Sequence, residues 1–177
     1  IKYINTEMGD IELTSKIDLY NEDSHNIIRE NIENDTVQFL KPEHDGRYYT
    51  LVDPDGITII DFLEVHNEIY RIGEFISAIH SVLDTGICII LIQKDAKNTL
   101  GRGNSFSIEK PRLYMTLDRN RPYGDTLTLQ KVKIPAENKH GIDGLARDYK
   151  IPDGKWLEPM CEWEFFNLLI GNVSNYH

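Results

Sequence analysis

Three stretches decide how this chain folds. The first is Ile57-Thr58-Ile59-Ile60-Asp61-Phe62. The second is the series Ile69, Ile72, Phe75, Ile76, Ile79, Val82 and Leu83, which recurs at three- and four-residue steps. The third is Ile87-Cys88-Ile89-Ile90-Leu91-Ile92, entered through Gly86. The first run is continuous and β-branched, which predicts a strand buried on both faces of a parallel sheet. The spaced series predicts an amphipathic helix that stops near Gly86, and the third run predicts another buried strand. Strand, helix and strand with a tight glycine turn make a right-handed βαβ crossover. The expected class is therefore α/β, with helices layered on a mainly parallel sheet.

Upstream, Ile1–Asn5 reads as a short strand, and apolar residues at 13, 17 and 20 behind an Asp10 cap predict a helix over Glu12–Tyr20. Thr36–Leu40 alternates as a short strand, and Pro42–Gly56 is a turn-rich connection. Downstream, Lys94–Ser107 reads as a polar loop, while Leu113–Leu117 and Thr126–Ile134 read as strands about a turn at Gly124-Asp125. Leu145–Ile151 reads as one more strand, and Glu162–Leu169 as a short helix or strand. The expected organisation is one core over residues 1–151, with an aromatic tail over 152–177 packed on it.

With 40% apolar residues in a length of 177, the chain can bury a sizeable core. Its apolar runs are too short to span a bilayer and its N-terminus is polar, so no membrane partner and a cytoplasmic location are expected. Cys88 and Cys161 stand in no C-x-x-C pair and read as reduced packing residues. The histidines at 25, 44, 66, 80, 140 and 177 have no spacing that gathers ligands for a structural metal. A net charge of −10 argues against a general nucleic-acid coat protein. Yet Lys94–Lys139 holds ten Lys/Arg against five Asp/Glu. A basic middle on an acidic body suits a protein that offers one face to a polyanion, and a solvated loop region has the same composition.

Ligands of open parallel sheets bind at the carboxyl ends of the strands, which directs attention to Glu7, Asp61 and Gln93. An Asp at the end of an apolar strand can hold a hydrated Mg²⁺. A nearby Glu can deprotonate water, and a Gln at the next strand tip can sense a terminal phosphate. Each residue also has a plain structural reading: a turn for Asp61, the first turn of a helix for Glu7, a polar strand exit for Gln93.

Four segments carry a resemblance when taken in order: Tyr3-Ile4-Asn5-Thr6-Glu7-Met8-Gly9, Ile57–Leu63, Cys88–Lys94 and Leu129-Gln130-Lys131-Val132-Lys133. Their order and spacing resemble the successive motifs of DnaB-like hexameric helicases of the RecA superfamily. The similarity extends to phage-encoded ATPases through Gly101-Arg102-Gly103 and Glu109-Lys110-Pro111-Arg112-Leu113-Tyr114. The resemblance runs from Ile1 to about Ile151. It implies a RecA-like three-layer α/β/α fold with sheet order 5-1-4-3-2, and ATP and Mg²⁺ as cofactors. It further implies single-stranded DNA as a partner, a ring-shaped homo-oligomer such as a hexamer, and the cytoplasm of a bacterial host.

Under that resemblance Glu7 matches the glutamate that primes the attacking water, and Asp61 matches the Walker B aspartate that holds Mg²⁺ through water. Gln93 matches the strand-end glutamine that couples phosphate state to the DNA loop. Lys131 and Lys133 match the basic pair that reaches a neighbouring subunit's nucleotide. The second of the pair is commonly Arg, and Lys supplies a point charge in place of a bidentate fork. Lys97, Arg102 and Asn104 match the DNA-facing loop.

The sequence contains no G-x-x-x-x-G-K-[ST], the loop whose amides and lysine cradle phosphates. The resemblance places that P-loop, with its strand and helix, ahead of Ile1, as in a domain cut at its beginning. Two other function classes fit the same residues. One is a non-enzymatic RecA-like module serving as loader or scaffold in a replication complex. The other is a metal-dependent nuclease using Asp61, Glu64, His66 and Glu68. Lacking a P-loop, the 177-residue polypeptide is expected to show no ATP turnover above a protein-free blank in a phosphate-release assay. A measured rate would overturn that expectation.

Overall fold

Four short runs of β-branched and aromatic residues pair in parallel: β1 (Lys2–Asn5), β2 (Gln38–Leu40), β3 (Ile57–Asp61) and β4 (Ile87–Ile90). Their order across the sheet is β2-β1-β3-β4. The computed structural model describes residues 1–23, 27–42, 47–65, 68–120, 124–133, 141–152 and 157–165. Helices α1 (Asp10–Asp23) and α2 (Ile27–Glu33) connect β1 to β2, and α3 (Ile72–Val82) connects β3 to β4 behind a 3₁₀ turn at Ile69–Arg71. The β3-α3-β4 unit is the parallel crossover expected from the sequence.

In a parallel ladder, registered residues point to the same face. Ile4, Ile60 and Ile90 therefore share one face, and Tyr3, Ile59 and Ile89 share the other. The first face meets α3. Ile4, Ile60 and Leu63 join Ile72, Ile76 and Ile79 of the helix, with Tyr48 and Val52, in a single buried cluster. Each such side chain contributes roughly 1.5–3 kcal/mol through removal from water.

The opposite face corrects the expectation of strands buried on both sides. Ile57, Ile87 and Ile89 are 40%, 59% and 49% exposed. Among the described residues α3 is the helix layered on the sheet. Helix α1 packs with α2, and no described side chain of either is buried. Ile11 of α1 is 86% exposed. The apolar residues of α1 are too interspersed with charge to make a docking stripe.

Gly86 is required by a close approach. A Cβ there would sit 2.6 Å from the Gly56 carbonyl and 2.7 Å from that of Pro54, both backbone atoms. The Gly86 and Asp84 amides donate to the Pro54 carbonyl at 2.8 and 2.9 Å. In turn, Asp53 Oδ1 accepts from the Asp55 and Gly56 amides, closing an Asx turn that starts β3.

The remaining strands do not join the parallel sheet. β5 (Leu113–Asn120), β6 (Gly124–Val132) and β7 (Leu145–Lys150) form an antiparallel sheet, and the short β8 (Glu158–Pro159) and β9 (Glu164–Phe165) both pair with β7. The chain accordingly divides into two compact units, residues 1–94 with 102–110, and residues 95–101 with 111–177. This division falls elsewhere than at Ile151/Pro152, and residues 166–177 of the expected tail lie outside the described residues. The polar loop expected over Lys94–Ser107 contains the start of a short helix, α4 (Ser105–Ile108). No helix among the described residues is long and apolar enough to cross a membrane.

Truncating Ile60, fully buried beneath α3, to Ala should lower the unfolding free energy by about 2–5 kcal/mol. Ile89→Ala, on the open face, should cost well under half of that. Urea denaturation of the two variants checks the contrast, and equal losses would mean that both faces are covered.

Candidate functional site

Because β1, β3 and β4 run parallel and adjacent, their carboxyl ends lie along one edge of the sheet, and the three residues singled out from sequence stand there. Asp61 closes β3 in register with Asn5 of β1. Glu7 lies two residues beyond β1 and is exposed, and Gln93 lies three residues beyond β4 and is exposed.

The exit from β1 and β3 is built by side chains. The Thr6 hydroxyl accepts the Phe62 amide at 2.7 Å and donates to the Phe62 carbonyl at 2.9 Å, while the Thr6 amide donates to the Asp61 carbonyl at 2.9 Å. Asn5, buried, closes the next turn: its Nδ2 donates to the Met8 carbonyl at 2.7 Å and its Oδ1 accepts the Met8 amide at 3.0 Å. Glu7 sits inside this turn, so its backbone position is defined on both sides.

Asp61 has a partner that sequence spacing does not reveal. The Tyr3 hydroxyl donates to Asp61 Oδ2, across a separation of 58 residues. Tyr3 also meets Phe39 with ring centroids 5.4 Å apart. Burial, then the hydrogen bond and charge of Asp61, then the charge of Glu7, raise the Tyr3 phenol far above its ordinary value. Tyr3 therefore feels both carboxylates, which places Glu7 and Asp61 in one electrostatic neighbourhood. Period two along β1 puts Tyr3 on the face of Asn5, but only the register with β3 brings it to Asp61.

The pairing of β3 and β4 continues past the ladder, with the Leu63 amide donating to the Leu91 carbonyl at 2.9 Å. There the chains part around a cleft of about 60 Å³. Phe62, Leu63, Val65 and Ile72 form its apolar lining. Glu64, Gln93 and Arg102 supply its polar groups. The Arg102 amide donates to the Gln93 carbonyl at 2.9 Å, so the strand tip and the Gly-Arg-Gly loop are joined. Gly103 has φ +89°, and a Cβ there would lie 3.1 Å from Ile72 Cβ. Gly73 approaches Phe106 in the same way, at 3.2 Å. These two glycines seat the loop on the first turn of α3.

The basic candidates do not form one described patch. Arg102 and Asn104 belong to the unit that contains the parallel sheet, whereas Lys97, Lys131 and Lys133 belong to the other. Lys131 lies within β6 opposite Tyr114, and Lys133, one residue past the strand, donates its amide to the Arg112 carbonyl at 2.8 Å.

No group of three or more His, Cys, Asp or Glu that could hold a metal gathers among the described residues. His66, one of the four residues of the nuclease reading, lies outside them, and Glu68 is engaged by Arg71 at 3.6 Å. Both cysteines are free, and burial pushes the Cys88 thiol up to about 11, far from a nucleophile's range. In comparison with known proteins, no family model matches the chain and no curated protein matches its sequence.

Tyr3→Phe tests the pairing through pH. A phenol whose titration is raised on folding contributes stability that is fully present below its unfolded value near 10 and is lost as pH rises from there. The stability difference between wild type and Tyr3→Phe should be constant from pH 7 to 9 and shrink above pH 10. A difference independent of pH up to 11 would remove Tyr3 from the neighbourhood of Asp61.

Proposed function

We propose that this chain is the larger part of a RecA-type ATPase core of DnaB-like kind, with Glu7, Asp61 and Gln93 as its catalytic edge. The observation that carries the reading is the order of three neighbours. The resemblance implies that its second, third and fourth strands lie side by side with the glutamate, aspartate and glutamine at their carboxyl ends. β1, β3 and β4 lie in that sequence with those residues at those ends.

The edges support the same reading. In the resembled order the P-loop strand lies beside the fourth strand. β4 is the outer strand of its sheet and bears the exposed Ile87 and Ile89. An open edge with an apolar row is where a further strand pairs. The motif segment Leu129–Lys133 runs through β6, but β6 is flanked by β5 and β7 and has no free edge. The open edge of that sheet belongs to β5, whose Leu113, Met115 and Leu117 are 50%, 49% and 58% exposed. β5 is accordingly the better counterpart of the fifth strand.

In this reading Asp61, which accepts the Tyr3 hydroxyl, is the residue that would hold hydrated Mg²⁺ through water. The donor set is one carboxylate at a polar edge, which fits a cation that keeps most of its waters and takes the rest of its ligands from phosphate. Bound there, Mg²⁺ and ATP supply the charge neutralisation and the leaving group. Glu7 takes the proton of the attacking water. Gln93 passes the state of the site to Arg102 through the hydrogen bond between their backbones. Arg102 and Asn104 attract the sugar–phosphate chain irrespective of sequence, and Lys97 has the same proposed role within its own unit. Lys131 and Lys133 are proposed to serve a neighbouring subunit's nucleotide in a ring of copies.

The test is ATP turnover by the whole gene product, with and without single-stranded DNA. DNA-stimulated hydrolysis that falls about 10²- to 10⁴-fold in Glu7→Gln is the expected result. A gene product that binds single-stranded DNA without hydrolysing ATP would instead favour the loader or scaffold.

A further inference from the structure

The cleft beside Gln93 has the wrong lining for phosphate alone. Phosphate sites gather cations and amides, and a carboxylate among them repels the ligand. Here Glu64 shares the cleft with Arg102, and the rest of the surface is apolar: Leu63 and Ile72, both almost fully buried, with Val65 and the ring of Phe62. A nucleobase has the complementary character, with flat apolar faces and an edge that carries donors and acceptors together. Gln93 offers both, Glu64 accepts and Arg102 donates. At about 60 Å³ the cleft admits a few water-sized groups, enough for the edge of one six-membered ring.

We propose that this cleft holds the edge of one nucleobase. The seat of Gly103 on Ile72 and the bond from the Arg102 amide to Gln93 keep the two rim residues in place before any ligand arrives. The base comes from a single strand drawn to the loop, a source that rests on the DNA-binding reading above; a free nucleotide presents the same ring.

The experiment is fluorescence anisotropy of the full chain with labelled oligodeoxythymidylate, oligodeoxyadenylate and an abasic strand of equal charge. Thymidylate and adenylate should each bind about tenfold tighter than the abasic strand. Val65→Phe, which fills the cleft, should remove that advantage and leave abasic binding unchanged, with circular dichroism checking the fold. Val65→Leu, a smaller insertion at the same lining position, serves if Val65→Phe does not fold. Photo-crosslinking with 4-thiothymidine, as a strand and as the monophosphate, should map to Phe62–Val65 or Gln93. Equal affinity for thymidylate and abasic strands overturns the base site while strand binding stands. A monophosphate crosslink at these residues without binding of any strand supports the base site and overturns the strand as its source. Neither binding nor crosslinking overturns both.

Discussion

Past the last paired residues of β1 and β3, one residue, Thr6, holds the two strands together. Thr6 both accepts from and donates to the backbone of Phe62, and that exchange fixes where the strands leave the sheet. Everything assigned to the carboxyl edge depends on it. Glu7 is the next residue after Thr6, and Asp61 the last before Phe62. A strand end that frayed here would move both carboxylates and release Tyr3 from Asp61. The clamp is effective because it satisfies backbone groups that would otherwise stand unpaired at a sheet edge half removed from water.

The sheet is asymmetric in what it covers. α3 closes one face with a cluster dominated by isoleucine, and that cluster supplies most of the hydrophobic stabilisation of this unit. The other face offers Ile57, Ile87 and Ile89 to solvent, with Ile57 and Ile87 at the amino ends of their strands. The antiparallel sheet has the same property, since its edge strand β5 leaves Leu113, Met115 and Leu117 exposed. Among the described residues, two open edges carry apolar rows, an aggregation hazard for a chain that keeps them open.

At the site, geometry adds a chain of connection to what residue types alone imply. Glu7 and Asp61 are linked through the Tyr3 phenol, and Gln93 is linked to Arg102 through the backbone. Glycines in a loop ordinarily give the backbone freedom to follow a ligand. Gly103 instead serves a close approach to Ile72 at a positive φ, so this part of the loop is seated and not free.

Periodicity and β-branched runs were enough to place β1, β3, α3 and β4, because the alternatives for such local patterns are few. The carboxyl-edge position of Glu7, Asp61 and Gln93 follows from that placement together with parallel pairing. What local pattern did not contain was the covering of faces: a run of isoleucines reads the same whether a helix lies above it or water does. Nor did it contain α2, the separation of Leu113–Lys150 into its own sheet, or the contact of Tyr3 with Asp61. Those depend on register and on which distant segments meet. The sequence by itself determined which segments are strands and which polar residues end them, since both are set by neighbours along the chain. Only the tertiary structure decided which side chains share a face, because that is set by pairing across residues far apart.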